Sequence, residues 1–567
     1  MLSVFGLIVA TACLQQVTPA QESPLSKMHG RIALLPLDSR PACTQMPVMM
    51  GQIAGVSVLA PPEAMLGVFR TPGKCDELAV WLRETSRSGV DAIIVSADML
   101  CYGGLVPSRT DAVSQAKAEQ RLELLQAIRA DRPDLPIYVF STIMRTAPTA
   151  TKDAAPWRME LAKYLYYQDQ YRATGSKGAA TKAREHLVKV PKGELEKYER
   201  TRERNAKVQR HLVRLLKEGA IDFLIFGQDD AEPYGPHRLE RASLKALLER
   251  EGIAGKAMIC GGIDQTACVL LARALVRAER LTPRIWVQWS SESGKAVVAP
   301  NEGQTTEQAV QMQVFGAGAR PAASKDEADV VLSINSYGRS AEDLAEFQRT
   351  LRDDLAAGRL VALADLNLDA GGTADPALVR FLLESKLCGY LAGYAGWNTV
   401  SNTLGTALPQ AIVYWLALRD PQLDPRAREL SQRAFILQRL AGEYGYHNYI
   451  RPQAYAYLTN DLKGRKEEVH GEDLVLLTRF VAKHTAKMLE SFFRIGFLGT
   501  KVASDGTNRW DILTELVDVS IDLPWPRAYE VRISFGFATS PIARSHSDAH
   551  EAEPGSEGEE DGTKTPS

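Results

Sequence analysis

FLIFGQDDAEPYG, residues 223–235, begins with an unbroken apolar row and then turns polar at two adjacent carboxylates, Asp229 and Asp230. A strand with one face in water alternates apolar and polar residues. A continuous apolar run is instead the pattern of a strand covered on both faces, as in a parallel sheet packed between helices. Similar runs recur as RIALLPL (31–37), VSVLAP (56–61), DAIIVSAD (91–98), PIYVFSTI (136–143) and KAMICGG (256–262). Further along come RIWVQWS (284–290), ADVVLSIN (328–335), RLVALADL (359–366) and CGYLAGYAG (388–396). Amphipathic segments such as DELAVWLRETSRSG (76–89) and AEQRLELLQAIRADRP (118–133) separate them. This alternation predicts an α/β protein with parallel sheets. Ten such runs exceed the eight strands of one barrel. The expectation is a TIM-like (β/α) barrel with extra strands and helical additions; the alternative is two tandem parallel α/β units.

The rhythm also divides the chain. Residues 31–290 read as the barrel-like domain, interrupted at 151–219 by a helical insertion. Its segment KGELEKYERTRERNAKVQRHLVRLLKEG (192–219) carries opposite charges at helical spacing, the mark of a solvated face. Such an insertion either roofs a site or is only a long connection. Residues 291–423 read as a second α/β portion completing the cleft, and 424–537 as helices with a short β ending, DVSIDLPWPRAYEVRISFGF (518–537). The tail 541–567 has no core residues and is expected to be disordered. At the other end, residues 2–13 are mostly apolar and Thr18-Pro19-Ala20 follow. Residues 1–20 therefore read as a signal peptide, with export to the periplasm or the exterior, although no basic residue precedes Lys27.

Composition narrows the function classes. Of 567 residues, 45% are hydrophobic and 24% charged, with a formal net charge of −2, so the basic excess of a nucleic-acid binder is missing. Past the N-terminus no apolar run reaches the ~18–20 residues of a membrane span. The seven cysteines form no CxxC pair and the nine histidines no HxH or HExxH, which argues against a transition-metal site and for free thiols. A disulfide is admitted if the chain is exported. GxGxxG after a strand, GxxxxGK[ST] and GxSxG are all absent, which disfavours nucleotide and serine-hydrolase chemistry.

In parallel α/β folds ligands meet the carboxyl ends of the strands. The residues there are Asp38 and Arg40, then Asp98, Tyr102 and Arg109, then Arg145, Asp229 and Asp230, Asp264, Asp365, and finally Trp397 and Asn398. Two carboxylates side by side repel when both ionise, so one tends to hold its proton toward neutral pH. A protonated acid beside an ionised partner suits glycosidic cleavage, and an adjacent pair suits the substrate-assisted variant in which the sugar's acetamido group attacks. The plainer readings are a helix N-cap or a hard-cation site. Trp397 with Asn398 offers an aromatic platform beside an amide, which suits a sugar; the plainer reading is a buried Trp with Asn capping the next helix. Arg40, Arg109 and Arg145 present planar forks suited to an acidic group on a substrate.

Four ordered motifs carry a resemblance: LLPLDSRP (34–41), SADMLCYGGLVPSR (96–109), FGQDDAEPYG (226–235) and GYAGWNTVSNTLGTAL (393–408). Together they resemble the bacterial domain-of-unknown-function family 4127, from about residue 31 to about 537. That resemblance implies no activity. The family pattern leads one to expect Gly-x-Asp-Glu after the sixth strand, whereas GGIDQ (261–265) has Gln265 at the Glu position. More distantly, the Asp-Asp pair with a later Trp-Asn is similar to the N-acetylglucosaminidases of glycoside hydrolase family 84. That likeness implies Asp229 as acetamido polariser, Asp230 as general acid and Asn398 as sugar ligand. The expected function is a glycoside hydrolase acting on an amino-sugar or acidic glycan, with no cofactor, no nucleic-acid partner and no membrane span. Its rivals are a non-catalytic carbohydrate-binding or cell-envelope protein and a divalent-cation hydrolase with Asp38, Asp98, Asp229 and Asp264 as ligands.

Overall fold

The computed structural model describes residues 30–149, 156–369, 371–503 and 509–543. The expected signal peptide and the tail beyond 543 lie outside these residues. Six strands come first: β1 (Arg31–Leu35), β2 (Ser57–Leu59), β3 (Ala92–Ser96), β4 (Ile137–Ile143), β5 (Phe223–Gln228) and β6 (Ala257–Gly261). They form one parallel sheet in the order β2-β1-β3-β4-β5-β6. The next five are β7 (Arg284–Trp289), β8 (Arg320–Pro321), β9 (Val330–Asn335), β10 (Val361–Asp365) and β11 (Gly393–Ala395). They form a second parallel sheet, β11-β10-β9-β7-β8.

Among the described residues the strands form these two open sheets and no closed barrel. The physical reason is the pairing of β1. In a βα barrel each strand pairs with the next, but here β3 pairs with β1, register Ile32↔Ala92 to Leu35↔Val95, and leaves β2 at the edge. The second sheet repeats the device, with β7 between β8 and β9. Both sheets thus follow the 2-1-3-4-5 order of doubly wound folds, the first with one more strand. Such an order has a switch point where connections leave to opposite sides, and a crevice opens there at the carboxyl ends.

The central strands β3, β4, β5, β9 and β10 are buried throughout, as unbroken apolar runs require, whereas β7 is mostly half-buried. One core cluster joins the two sheets, with Ile32, Ile94 and Phe140 from the first and Leu332, Ile334 and Ala364 from the second. Between β4 and β5 stand three helices, Trp157–Thr174, Lys177–Leu187 and Lys192–Lys217. After β11 the buried helix Val400–Ala417 leads to the helix Pro425–Arg439 and then to an eleven-residue π-helix, Leu440–Ile450. The helix Gly471–Gly496 packs on that segment. The chain ends in an antiparallel sheet of β12 (Lys501–Ala503), β13 (Arg509–Asp522) and β14 (Arg532–Ala543). The six described cysteines, Cys43, Cys75, Cys101, Cys260, Cys268 and Cys388, are buried and free. No helix among the described residues is long and apolar enough to cross a membrane.

Candidate functional site

A cavity of about 400 Å³ opens where the carboxyl ends of the first sheet meet the C-terminal third of the chain. That size suits a small ligand. From the first unit it is lined by Arg40, Arg109, Arg145, Asp229, Asp230 and Asp264, and from the loop after β11 by Trp397 and Asn398. The π-helix and the residue before it add Arg439, Glu443 and His447, and the turn between β13 and β14 adds Trp525, Arg527, Tyr529 and Glu530.

Arg40 follows β1 at the switch point and braces two carboxylates. It donates to Asp38 at 2.7 Å and to Asp264 at 2.7 and 3.0 Å. Burial opposes its charge, but Asp264 and Asp38 outweigh burial and raise its pKa. Its guanidinium stands 5.2 Å from the Trp525 ring, and the Trp525 indole donates to Ser39 Oγ at 2.9 Å. The C-terminal turn is thereby fastened to the β1 loop.

Asp229 and Asp230 end β5 and part company. Asp229 takes Arg109 Nη2 at 2.5 Å, with both side chains under a tenth exposed. Burial and the neighbouring Arg145 lower the Arg109 pKa to about 10. Asp230 turns the other way because its φ is +22°. Its carboxylate is 41% exposed and takes Arg145 Nη1 at 3.1 Å. Burial and then the Asp229 charge raise the Asp230 pKa, while Arg145 and Arg109 oppose the rise.

Backbone strain gathers here. Among the described residues eight non-glycine positions have positive φ, and four of them, Phe69, Asp230, Asn301 and Asn398, line this cavity. Such conformations cost roughly 1–3 kcal/mol each and cluster at functional sites. Asp and Asn tolerate them best among residues with a Cβ, which gives the Asp-Asp and Trp-Asn motifs a geometric basis. The glycines after β3 answer a related need: Gly103 has φ +86°, and a Cβ there would come within 2.6 Å of the Gly73 backbone nitrogen.

Four of the expected site residues do not line the cavity. Asp38 stands behind Arg40, as described. Asp98 turns inward and accepts from the Thr142 N–H at 2.8 Å and hydroxyl at 2.9 Å, and burial raises its pKa to about 6. Tyr102 is buried against the Arg204 guanidinium, 4.3 Å from its ring. Asp365 ends β10 and is fully buried. It accepts from Asn335 at 2.8 Å and from the Asp375 N–H at 2.7 Å, and burial with the Asp375 charge raises its pKa to about 7. The three carboxylates each find a donor inside the fold, and Tyr102 is held by packing against Arg204, its hydroxyl without a hydrogen-bond partner. The carboxylates of Asp38, Asp98, Asp229 and Asp264 are distributed among Arg40, Arg109 and Thr142. Among the described residues no group of three or more His, Cys, Asp or Glu is arranged to hold a metal ion.

Trp397 is 7% exposed and donates to Thr406 at 3.3 Å, while Asn398 donates to Asn402 at 3.0 Å. Thr399, not Asn398, caps the following helix through the Asn402 N–H. The described helices of the insertion contribute no lining residue. They support the β4 loop from behind, where Arg202 donates to the carbonyls of Met144 and Arg145 at 2.8 and 2.9 Å. Gln265 is also off the cavity. It donates to the Gly261 carbonyl at 3.0 Å and accepts from Asn402 at 2.9 Å, joining the two units.

Sequence reasoning missed the whole C-terminal contribution. GEYGYHNY (442–449) and LPWPRAYE (523–530) mix aromatic, charged and turn residues too densely for a helix surface or a plain strand, and that density was the available signal. A π-helix is itself a frequent marker of functional sites. Glu443 accepts from Arg439 at 2.7 Å and from the Gly396 N–H at 2.7 Å, and burial raises its pKa against the pull of Arg439.

A search among curated proteins finds no match to this chain. The family described as "Protein of unknown function (DUF4127)" matches residues 32–534, nearly the whole length and all four motifs, and the chain belongs to that family.

Proposed function

We propose that the cavity is the active site of a glycoside hydrolase acting on a neutral amino sugar or related glycan. The observation that carries this reading is the divergence of Asp229 and Asp230. One carboxylate is locked against Arg109 inside the fold; the other is turned toward the cavity by a strained backbone, with a pKa raised by burial and by its neighbour. Asp230 then gives its proton to the leaving oxygen. Asp229, held by Arg109, orients the group that attacks, which in an N-acetylated sugar is its own acetamido oxygen. Water completes the hydrolysis and returns a proton to Asp230. Tyr529 supplies exposed aromatic surface of the kind sugars stack on, with the mostly buried Trp397 and Trp525 at the cavity wall.

The charge balance favours a neutral substrate over an acidic one. Every arginine lining the cavity already has a carboxylate partner: Arg40 with Asp38 and Asp264, Arg109 with Asp229, Arg145 with Asp230, Arg439 with Glu443, and Arg527 with Glu530. An acidic glycan would have to displace one of these.

The test is hydrolysis of a panel of aryl glycosides, N-acetylated sugars included, by the wild type and by Asp230→Asn. Turnover that falls by roughly 10²–10⁴ in the variant supports acid catalysis by Asp230. Unaltered turnover in Asp230→Asn excludes it. Sugar binding without turnover, equal in both proteins, favours a carbohydrate-binding protein instead.

A further inference from the structure

Two buried polar atoms on cavity-lining residues have no hydrogen-bond partner: Arg109 Nε and His447 Nδ1. They come from two different elements, one from the segment after β3 and one from the π-helix. A buried unpartnered donor or acceptor costs roughly 1–3 kcal/mol, so two at one cavity call for a compensating ligand. The Arg109 side chain is 7% exposed, and its other nitrogens are committed to Asp229 and to Thr149 at 2.9 Å. Nε is the one guanidinium nitrogen with no partner.

His447 is the less expected of the two. Its ring lies 6.2 Å from that of Tyr529, and Tyr529 in turn feels the charge of Asp230. Burial, with Arg451 and Arg439 nearby, lowers its pKa to about 3, so the imidazole is neutral. Charged groups surround it on every side: Arg439 and Glu443 on its own helical stretch, Arg451 after it, and Arg527 and Glu530 beside Tyr529. A neutral imidazole carries no charge with which to select an anion. It exchanges one hydrogen bond with a hydroxyl or an amide. Both nitrogens are sealed, so contact with a ligand requires the ring and the guanidinium to turn.

We infer that His447 is a ligand-binding residue that works with Arg109, the pair anchoring a neutral ligand that offers an oxygen acceptor to Arg109 and a hydroxyl or amide to His447. An N-acetylated amino sugar has both groups. The inference rests on the amino-sugar reading above and adds a second anchor beside the acid pair.

The experiment is calorimetric titration of the full chain with N-acetylglucosamine and, separately, with glucuronic acid. The proteins are wild type, His447→Phe, His447→Asn and Asp230→Asn. Binding of N-acetylglucosamine is expected to weaken roughly tenfold in His447→Phe, the equivalent of one lost hydrogen bond. His447→Asn, whose amide can stand near the Nδ1 position, is expected to restore most of it. In the wild type the His447 ring ¹⁵N resonances are expected to shift when the sugar is added, a readout that requires no variant to fold. Wild-type binding with an unchanged ring signal, or unchanged affinity in His447→Phe, overturns this inference and leaves the hydrolase reading standing. Glucuronic acid binding more tightly than N-acetylglucosamine overturns the neutral-ligand clause. A wild type that neither binds nor hydrolyses N-acetylated sugars overturns both readings together.

Discussion

Asp230 is held between opposing influences, and their balance makes its role measurable. Burial and the Asp229 charge favour its protonated form, while Arg145 at 3.1 Å favours the carboxylate. A raised carboxyl pKa means that the proton is kept at pH values above the ordinary carboxylate range and is lost as pH climbs through the raised value. An acid-catalysed rate therefore falls on the alkaline side of its profile. Arg145→Gln removes the opposing cation, which raises the Asp230 pKa further and shifts that alkaline limb to higher pH. The measurement is kcat/KM against pH for wild type and variant on one aryl glycoside. A limb that stays fixed or moves toward acid means that another group supplies the proton. At this scale the sequence was informative where the chain end of a strand dictates exposure: Arg40, Arg109, Arg145, Asp229, Asp230, Asp264, Trp397 and Asn398 all reach the cavity. It was uninformative for Asp98 and Asp365, because an Asp after a strand faces the cleft or the interior according to which donors fold up beside it. Thr142 and Asn335 are those donors, and both are distant in sequence.

The loop that carries Trp397 and Asn398 is placed by one close contact between elements. β11 lies directly on the helix Val400–Ala417, and a Cβ at Gly393 would come within 2.2 Å of the Ala407 carbonyl oxygen and 3.2 Å of the Ala411 nitrogen. Both are backbone atoms of a helix and cannot rotate away. Gly393→Ala must push the helix off the strand, an overpacking that costs typically about 1–3 kcal/mol. Urea denaturation is expected to show that loss, with sugar affinity reduced as well because Asn398 and Thr399 move with the strand. A variant as stable as wild type would mean that the contact is looser than described. Most strands were legible from their unbroken apolar runs. β8, two residues long, was not, and the hairpin of β13 and β14 was read only in part. Strand order was beyond reach for a different reason: barrels and doubly wound sheets share the same alternation of strand and helix, and the choice of β3 over β2 beside β1 is made by long-range packing. The π-helix escaped because its crowded aromatic, charged and turn residues show no regular apolar spacing over eleven residues.

For the whole molecule, the question is whether two sheets with the same strand order behave as two domains. Their interior says otherwise. The helix Thr266–Ala278 that follows the first sheet packs on the helix Val400–Ala417 that follows the second, and one apolar cluster runs through both. A polar tie crosses the same seam, Gln265 to Asn402 at 2.9 Å, and within the second unit Glu302 braces the adjoining turn, accepting from the Ser401 N–H at 2.7 Å and from its hydroxyl at 2.9 Å. The C-terminal sheet closes the ring, since Gln45 in the first unit donates to the Ile533 carbonyl at 2.7 Å. Separating the units would part Gln265 from Asn402 and expose a shared core. Each unit is therefore expected to unfold with the other, although long chains often unfold in stages. Tryptophan distribution makes this testable. Trp286, Trp289, Trp397, Trp415, Trp510 and Trp525 lie at or beyond β7, and only Trp81 and Trp157 precede it. Tryptophan fluorescence thus reports mainly on the second unit and the C-terminal sheet, whereas far-ultraviolet circular dichroism reports on every helix. Urea transitions followed by the two signals are expected to coincide. A fluorescence transition clearly separated from the dichroism one would show that the first unit stands alone, and that the cavity between them is a seam able to open.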